Sequence, residues 1–101
     1  MKDVKITVMR KALYKDLMEK YEGGSEYGCE LEEGQVFISR NSLMPEGMCQ
    51  SAWSVLYPYV LGLAAGADDY FDGWMKEKGT AMISCADGFR PVTFYLEAGT
   101  F

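Results

Sequence analysis

Apolar and polar positions alternate near the start of the chain. Val4, Ile6 and Val8 occupy every second position, which is the period of a strand with one buried face. From Leu13 the spacing changes, because apolar residues then recur three or four positions apart as far as Tyr21. The pattern therefore predicts a strand followed by a short helix.

The next part of the chain predicts a loop, a second strand and a turn. Glu22–Glu33 is rich in glycine and polar residues, which is typical of a loop. Gly34 then introduces Gln35–Ser39, which has the composition of a strand. Pro45-Glu46-Gly47 favours a tight turn, because proline restricts φ and glycine accepts a positive φ.

The longest apolar stretch, Ser51–Gly66, predicts the main helix. Its apolar positions cover most sides of a helix, which favours a place in the centre of the core. Pro58 lies inside this stretch and predicts a kink or a break, because its ring clashes with the Ser54 carbonyl and it has no N–H to donate. We expect four residues of this helix to be buried, namely Val55, Leu56, Val60 and Leu63.

Two further strands are predicted at the C-terminal end. Thr80–Ala86 and Arg90–Leu96 flank Asp87-Gly88, and this pair between alternating segments is typical of a hairpin. Asp68–Gly79 before them has no regular period, and we expect Trp74 to anchor it to the core. The order β-α-β-α-β-β predicts one α+β domain over residues 1–101. Its sheet would be a single layer of about four strands with the long helix packed on one face.

Composition favours an ordinary globular domain. Hydrophobic residues make up 49% of the 101 residues and charged residues 25%, so the chain has enough apolar side chains for a core. The net charge of −5 repels phosphate backbones, so we expect no nucleic-acid partner. The charge is +3 over residues 1–20, −8 over residues 21–73 and 0 over residues 74–101. The acidic middle is a solvated flank or a surface for a basic partner or a cation.

Cys29, Cys49 and Cys85 are an odd number of widely spaced cysteines. Small secreted domains usually have an even number, and Met1–Arg10 lacks the apolar stretch of a signal peptide. We therefore predict a cytoplasmic protein with reduced thiols. The wide spacing does not favour zinc, so the simplest interpretation is three buried, inert thiols with no metal and no other cofactor. Ala52–Ala67 is too short and too interrupted for a bilayer, so we expect no membrane span.

Several kinds of chemistry are excluded by the residues that the chain lacks. It has no histidine, which is the commonest general base and metal ligand. Catalysis by Ser-His-Asp or Cys-His is therefore excluded within one chain, and no phosphate-binding glycine motif occurs. A calcium loop that starts at Asp68 fails, because its third position is Tyr70 and its twelfth is Gly79.

Two groups of residues are candidates for a site. The first is aromatic and either lines a ligand pocket or belongs to the core, and its members are Trp53, Tyr57, Tyr59, Phe71 and Trp74. The second is a thiol, a carboxylate and a guanidinium at the predicted hairpin. The catalytic candidates are Cys85, Cys49, Asp87 and Arg90. The ligand-binding candidates are Arg90, Asp87, Trp53 and Trp74.

The hairpin predicts how its charged and thiol groups meet. Cys85 pairs with Arg90 whether the loop has two residues or four. Pro91 favours the four-residue loop, Ala86–Phe89. Arg90 would then lie on the apolar face of the hairpin at the rim of the core, with its Cβ about 4.5–5.5 Å from that of Cys85. The residues expected to share this face are Ala81, Ile83, Cys85, Val92, Phe94 and Leu96. Its expected acceptor is Asp87, a loop carbonyl or a bound anion. An Arg90 that faces the Cys85 sulfur would make this thiol more reactive. The alternative is an ordinary hairpin with an incidental salt bridge.

Parts of the sequence resemble a family of short uncharacterised prokaryotic proteins of similar length. The most specific part is Cys85-x-Asp87-Gly88-x-Arg90-Pro91-Val92, and Met44-Pro45-Glu46-Gly47-Met48-Cys49 with Ala52-Trp53 also fits. Gly28-Cys29, Glu33-Gly34-Gln35 and Trp74-Met75-Lys76-Glu77 agree too, whereas Glu22–Glu32 and Ala67–Gly73 agree less well. The resemblance covers nearly the whole chain and implies no known activity. It implies that the pattern of the family includes Cys29, Cys49, Cys85, Asp87 and Arg90.

Two functional hypotheses of different classes follow. The first is a small intracellular module that binds a small molecule or a protein partner without catalysis. One form of this hypothesis is a module that assembles into a homo-oligomer. The alternative is a thiol-dependent enzyme or redox protein that uses Cys85 or Cys49 near Arg90. The reactivity of the thiols at neutral pH distinguishes the two hypotheses.

Overall fold

The computed structural model describes residues 1–24 and 29–101, and it has the predicted α+β order of strands and helices. Residues 25–28 of the predicted loop Glu22–Glu33 lie outside the described residues. The elements are β1 (Asp3–Lys11), α1 (Lys15–Tyr21), β2 (Val36–Ser39), α2 (Gln50–Ala64), β3 (Thr80–Ser84) and β4 (Val92–Gly99).

The four strands form one open antiparallel sheet in the order β2-β1-β4-β3. The first and last strands of the chain, β1 and β4, are neighbours at its centre and pair from Asp3↔Gly99 to Lys11↔Val92. A bulge between Val8 and Arg10 interrupts this pairing. β2 and β3 are the two edge strands of the sheet.

Alternation along the strands places one set of side chains beneath α2. Val4, Ile6 and Val8 are buried, as predicted. The core joins them to buried residues of the other three strands and of α2, so the long helix covers this face of the sheet. The largest fully buried side chains are Phe94, Ile6, Leu56, Leu63 and Leu96.

The main helix is continuous, so of the two outcomes expected at Pro58 the break is wrong, whereas the kink stays a prediction. Pro58 and Ser54 are both exposed, and water can bond to the Ser54 carbonyl that lacks an amide donor. Of the residues expected to be buried, Leu56, Val60 and Leu63 are fully buried, whereas Val55 is partly buried. Within the described ranges, no helix combines the length and the apolar character needed to cross a membrane.

The short helix α1 lies at the surface. None of its residues is buried, although its apolar residues have helical spacing. Two main-chain bonds attach the segment before it to the loop between β3 and β4. The Ala12 N–H donates to the Pro91 carbonyl (3.0 Å), and the Tyr14 N–H donates to the Phe89 carbonyl (2.9 Å). These bonds place the start of α1 beside that loop.

Between α2 and β3, Tyr70 packs against the core, whereas Trp74 is an exposed side chain. Trp74 is 42% exposed and packs edge-on against Phe71, so its expected role as the anchor is wrong. Tyr70 is partly buried, and its ring packs edge-on against Tyr59. The Tyr70 hydroxyl donates to the Tyr59 carbonyl (3.3 Å). Gly62 makes room for this hydroxyl, because a Cβ at Gly62 would overlap it.

The environment of Tyr70 predicts a dependence of stability on pH. Burial raises the pKa of Tyr70 above its ordinary value of 10.0, and the neighbouring Tyr59 adds to the increase. Tyr70→Phe removes the bond to the Tyr59 carbonyl, so at neutral pH it should lower the free energy of unfolding by about 0.5–1.5 kcal/mol. The ionised phenol is disfavoured in the folded state, so the advantage of the wild type should shrink as the pH rises above about 10 and through the higher folded-state pKa. Urea unfolding of both proteins at several pH values measures this difference, and a difference that is constant with pH would contradict the prediction.

Candidate functional site

A groove of about 650 Å³ lies between the N-terminal end of α2, the loop that joins β3 to β4, and the segment 29–31. Its lining includes four residues that belong to the core, namely Leu31, Met48, Ala52 and Val92. Charged side chains of Glu30, Asp87 and Arg90 complete it. The groove therefore combines an apolar floor with charged groups from separate parts of the chain.

A turn before α2 positions one wall of the groove. The predicted turn at Pro45-Glu46-Gly47 is confirmed, because the Met48 N–H donates to the Pro45 carbonyl (3.3 Å) and Gly47 has a φ of 84°. Met48 after the turn is buried, and Cys49 is the N-cap residue of α2. The turn thus brings a buried methionine and an exposed thiol to the same wall.

The register of β3 and β4 differs from the predicted register. Ser84 pairs with Thr93, so Cys85 lies opposite Val92, and the predicted pairing of Cys85 with Arg90 is wrong. The Cys85 N–H donates to the Val92 carbonyl (2.9 Å), and the Val92 N–H donates to Cys85 Sγ (3.3 Å). The predicted face is nevertheless confirmed, because Cys85 is partly buried and the following residues are buried: Ala81, Ile83, Val92, Phe94 and Leu96.

Asp87 explains why the loop is longer than the predicted two or four residues. Its Oδ1 accepts bonds from the Phe89 N–H (2.9 Å) and from the Arg90 N–H (3.2 Å). An aspartate that bonds to the amides that follow it stabilises a turn in place of strand pairing. β3 therefore ends at Ser84, β4 begins at Val92, and Arg90 belongs to the loop.

Two carboxylates hold the side chain of Arg90. Its Nη2 donates to both oxygens of Glu22, at 2.6 and 2.7 Å, and its Nη1 lies 3.8 Å from Asp87 Oδ2. Water has little access to the closer pair, since the exposed fraction is 11% for the Arg90 side chain and 15% for that of Glu22. The bond to Glu22 raises the pKa of the Arg90 guanidinium, burial opposes this increase, and the charges of Glu22 and Asp87 add to it. The positive charge of Arg90 is therefore balanced within the protein.

Glu22 is the residue of this site that the sequence did not indicate. The expected acceptors of Arg90 were Asp87, loop carbonyls or a bound anion, but Glu22 makes the two shortest bonds. It follows α1 directly and is 68 residues from Arg90 along the chain, so no local pattern connects the two. The only related signal in the sequence is the excess of acidic residues over residues 21–73.

All three cysteines line the groove, although they come from three separate segments. Cys49 is exposed, whereas Cys29 and Cys85 are partly buried, so the interpretation of three buried thiols is wrong. Each of them is a free cysteine. In residues 1–24 and 29–101, no group of three or more cysteine, aspartate or glutamate side chains is arranged to hold a metal ion.

The two tryptophans lie away from the groove. Trp53 belongs to the core and is 9% exposed, with its ring centre 5.7 Å from that of Tyr57. Trp74 is at the surface beside Phe71, and neither tryptophan lines the groove. The aromatic group singled out in the sequence is thus divided between α2 and the segment that follows it.

A second groove, of about 540 Å³, shares Cys29 and Arg90 with the first. Lys11, Glu32 and Glu33 also line it. The Lys11 Nζ donates to the Cys29 carbonyl (3.1 Å), and the Lys11 N–H donates to Glu33 Oε2 (3.0 Å). The charged lining of this groove is therefore partly engaged in bonds within the protein.

No protein-family model, curated protein or solved structure matches the chain.

Proposed function

We propose that this protein is a small binding module without catalysis of its own, and that its ligand occupies the 650 Å³ groove at the N-terminal end of α2. The main support is the composition of the groove, in which the buried floor is apolar and a few polar groups surround it. Sites for small molecules in proteins typically combine these two features.

The charges around the groove favour a neutral or cationic ligand. Arg90 is bonded to Glu22, so an anionic ligand would have to displace a carboxylate that is largely shielded from water. Glu30 and Asp87 add further negative charge to the lining. We therefore expect an apolar ligand that has a neutral or positively charged polar group.

A titration monitored by nuclear magnetic resonance tests this proposal. The probes are a panel of small aromatic and aliphatic amines, together with the amides and carboxylates of the same carbon skeletons. Amines and amides should shift the amide signals of the loop between β3 and β4 and of the first turn of α2. Carboxylates should shift them much less. Shifts confined to other surfaces would contradict the proposed site, and equal shifts from carboxylates would contradict its charge preference.

Two serines of α2 provide matched variants. Ser51 and Ser54 are both exposed, but only Ser51 lines the groove. Ser51→Trp should fill the groove and abolish the shifts, whereas Ser54→Trp should leave them unchanged. Loss of binding in both variants, or in neither, would argue against this groove.

A thiol-dependent function is the second candidate, and the observation that favours it is the presence of three cysteines in one groove. Site-resolved alkylation at neutral pH separates the two functions. In a binding module, reactivity should follow exposure, so the exposed Cys49 should react before the partly buried Cys85. In a thiol-dependent protein that uses Cys85, this thiol should react first despite its partial burial.

The resemblance to short prokaryotic proteins is compatible with a common site. The five residues attributed to the pattern of that family all line the groove, namely Cys29, Cys49, Cys85, Asp87 and Arg90. A cytoplasmic location with reduced thiols stays a prediction that this proposal also uses.

A further inference from the structure

The face of the sheet opposite α2 presents two rows of side chains that cross all four strands. The registers of the strand pairs fix their order. All of these residues except Thr80 are at least partly exposed. The first row is Ile38, Lys5, Glu97 and Thr80, and the second row is Val36, Thr7, Tyr95 and Met82.

The first row has opposite charges at its centre. Lys5 and Glu97 are direct neighbours on β1 and β4. Among the ion pairs of residues 1–24 and 29–101, none joins these two side chains. The Lys5 ammonium instead lies 5.8 Å from the centre of the Phe101 ring. The middle of this face therefore presents a lysine and a glutamate on neighbouring strands, with the Phe101 ring near the ammonium.

We propose that this face binds the same face of a second copy of the chain in a twofold dimer. The twofold axis lies between the two facing sheets, parallel to the strands and midway between β1 and β4. It places β1 of one copy over β4 of the other, and β2 over β3. It places Lys5 opposite Glu97 of the second copy, and it forms the same pair a second time by symmetry. In the second row it places Thr7 opposite Tyr95 of the second copy.

Charge and size both favour a second copy as the occupant. Each ammonium meets a carboxylate, so the two central pairs attract instead of repelling. The large Tyr95 lies over the small Thr7, which suits sheets packed face to face about 10 Å apart. At the outer strands, Val36 (47% exposed) lies over Met82 (36% exposed), so each covers apolar surface of the other.

The dimer leaves the proposed ligand groove accessible. Residues that line the groove, such as Met48, Ala52 and Val92, belong to the core on the α2 side of the sheet. The dimer and the ligand site thus use opposite sides of the sheet, and each can be tested without the other.

Sedimentation equilibrium of the full chain tests the dimer. The wild type should associate reversibly, and more weakly as the salt concentration rises, because salt screens the two ion pairs. Lys5→Glu or Glu97→Lys alone should raise the dissociation constant about tenfold or more, since each places like charges opposite one another twice. The double variant restores both pairs and the net charge of −5, so it should recover the dimer. Lys2→Glu is the control, because it changes the net charge as Lys5→Glu does but lies outside the two rows.

Three results of the sedimentation experiments would overturn this proposal. They are a wild type that stays monomeric at about 1 mM, a dimer that neither single reversal weakens, and a double variant that stays monomeric. Where a single variant does not fold, a measurement on the wild type alone tests the dimer. Its amide signals should shift with protein concentration at Lys5, Thr7, Tyr95 and Glu97, and shifts confined to other surfaces would also overturn the proposal.

Discussion

Replacing Leu56 with alanine should lower the free energy of unfolding by about 2–5 kcal/mol. Leu56 is fully buried in α2 and belongs to the core between that helix and the sheet. The loss combines the missing apolar contacts with the cavity that remains. A domain is stable by only about 5–15 kcal/mol, so the variant would lose a large part of its stability. Thermal unfolding should show the loss, because each kcal/mol lowers the Tm by about 4–8 °C in a domain of about this size.

Leu61→Ala is the matched control for this experiment. It makes the same chemical change in the same helix, so the difference in helix propensity is the same for both variants. Leu61 is 37% exposed, and its replacement should lower the free energy of unfolding by about 1 kcal/mol or less. Equal losses for the two variants would contradict the placement of Leu56 in the core.

The parts of the fold that follow from local patterns could be predicted from the sequence. In a strand, every second side chain points to the same face of the sheet. The apolar residues Val4, Ile6 and Val8 of β1 therefore had to lie on one face, the face that is buried in the core. The same argument explains the buried face of β3 and β4. The order of the strands could not be predicted, because it depends on contact between the first and last strands of the chain.

Pro58 shows where a local rule is outweighed by packing. The rule correctly states that Pro58 removes one bond of the helix, but it does not include the residues that hold both halves of α2 in place. Leu56, Val60 and Leu63 are fully buried on either side of the proline in the sequence. Their burial along one side, with Pro58 on the exposed side, is sufficient to keep the helix continuous.

The hairpin shows how one side chain can change a register. Asp87-Gly88 favours a short turn, but the Asp87 carboxylate bonds to the amides of Phe89 and Arg90. The loop therefore extends from Cys85 to Pro91, and the strand pairing shifts by two residues from the predicted register. A shift of two keeps every side chain on its predicted face, so the face was predicted correctly although the pairing was not.

The candidate site was only partly predictable, because its residues come together through the tertiary fold. The C-terminal loop was recognised from its dense cluster of chemical groups in the sequence. The convergence of Cys29 and Cys49 on the same groove depends on where the segment 29–31, the turn before α2 and the loop after β3 lie in space. Glu22 was missed for the same reason, since nothing near it in the sequence identifies Arg90 as its partner.

Replacing Glu22 with glutamine should both destabilise the protein and change the charge preference of the groove. Glu22 makes the two shortest bonds to Arg90, and both side chains are largely shielded from water. A neutral amide leaves Arg90 with Asp87 as its only nearby carboxylate in the described residues, at 3.8 Å. The free energy of unfolding should therefore fall, because the guanidinium loses its closest counter-ion while it stays largely buried. Small carboxylates such as acetate should then bind beside Arg90 and recover part of the lost stability.

Glu30→Gln is the control for Glu22→Gln, because it also removes one negative charge, but from an exposed residue that lines the groove. Its effect on the free energy of unfolding should stay within about 0.5 kcal/mol, and acetate should not stabilise it more than the wild type. For Glu22→Gln, acetate at about ten times its Kd should raise the free energy of unfolding by about 1.4 kcal/mol, as mass action requires. Urea unfolding of the three proteins with acetate and with chloride at equal ionic strength measures both effects. Equal stability and equal acetate response in the two variants would show that Glu22 does not hold the charge of Arg90, and the argument for a neutral or cationic ligand would fail with it.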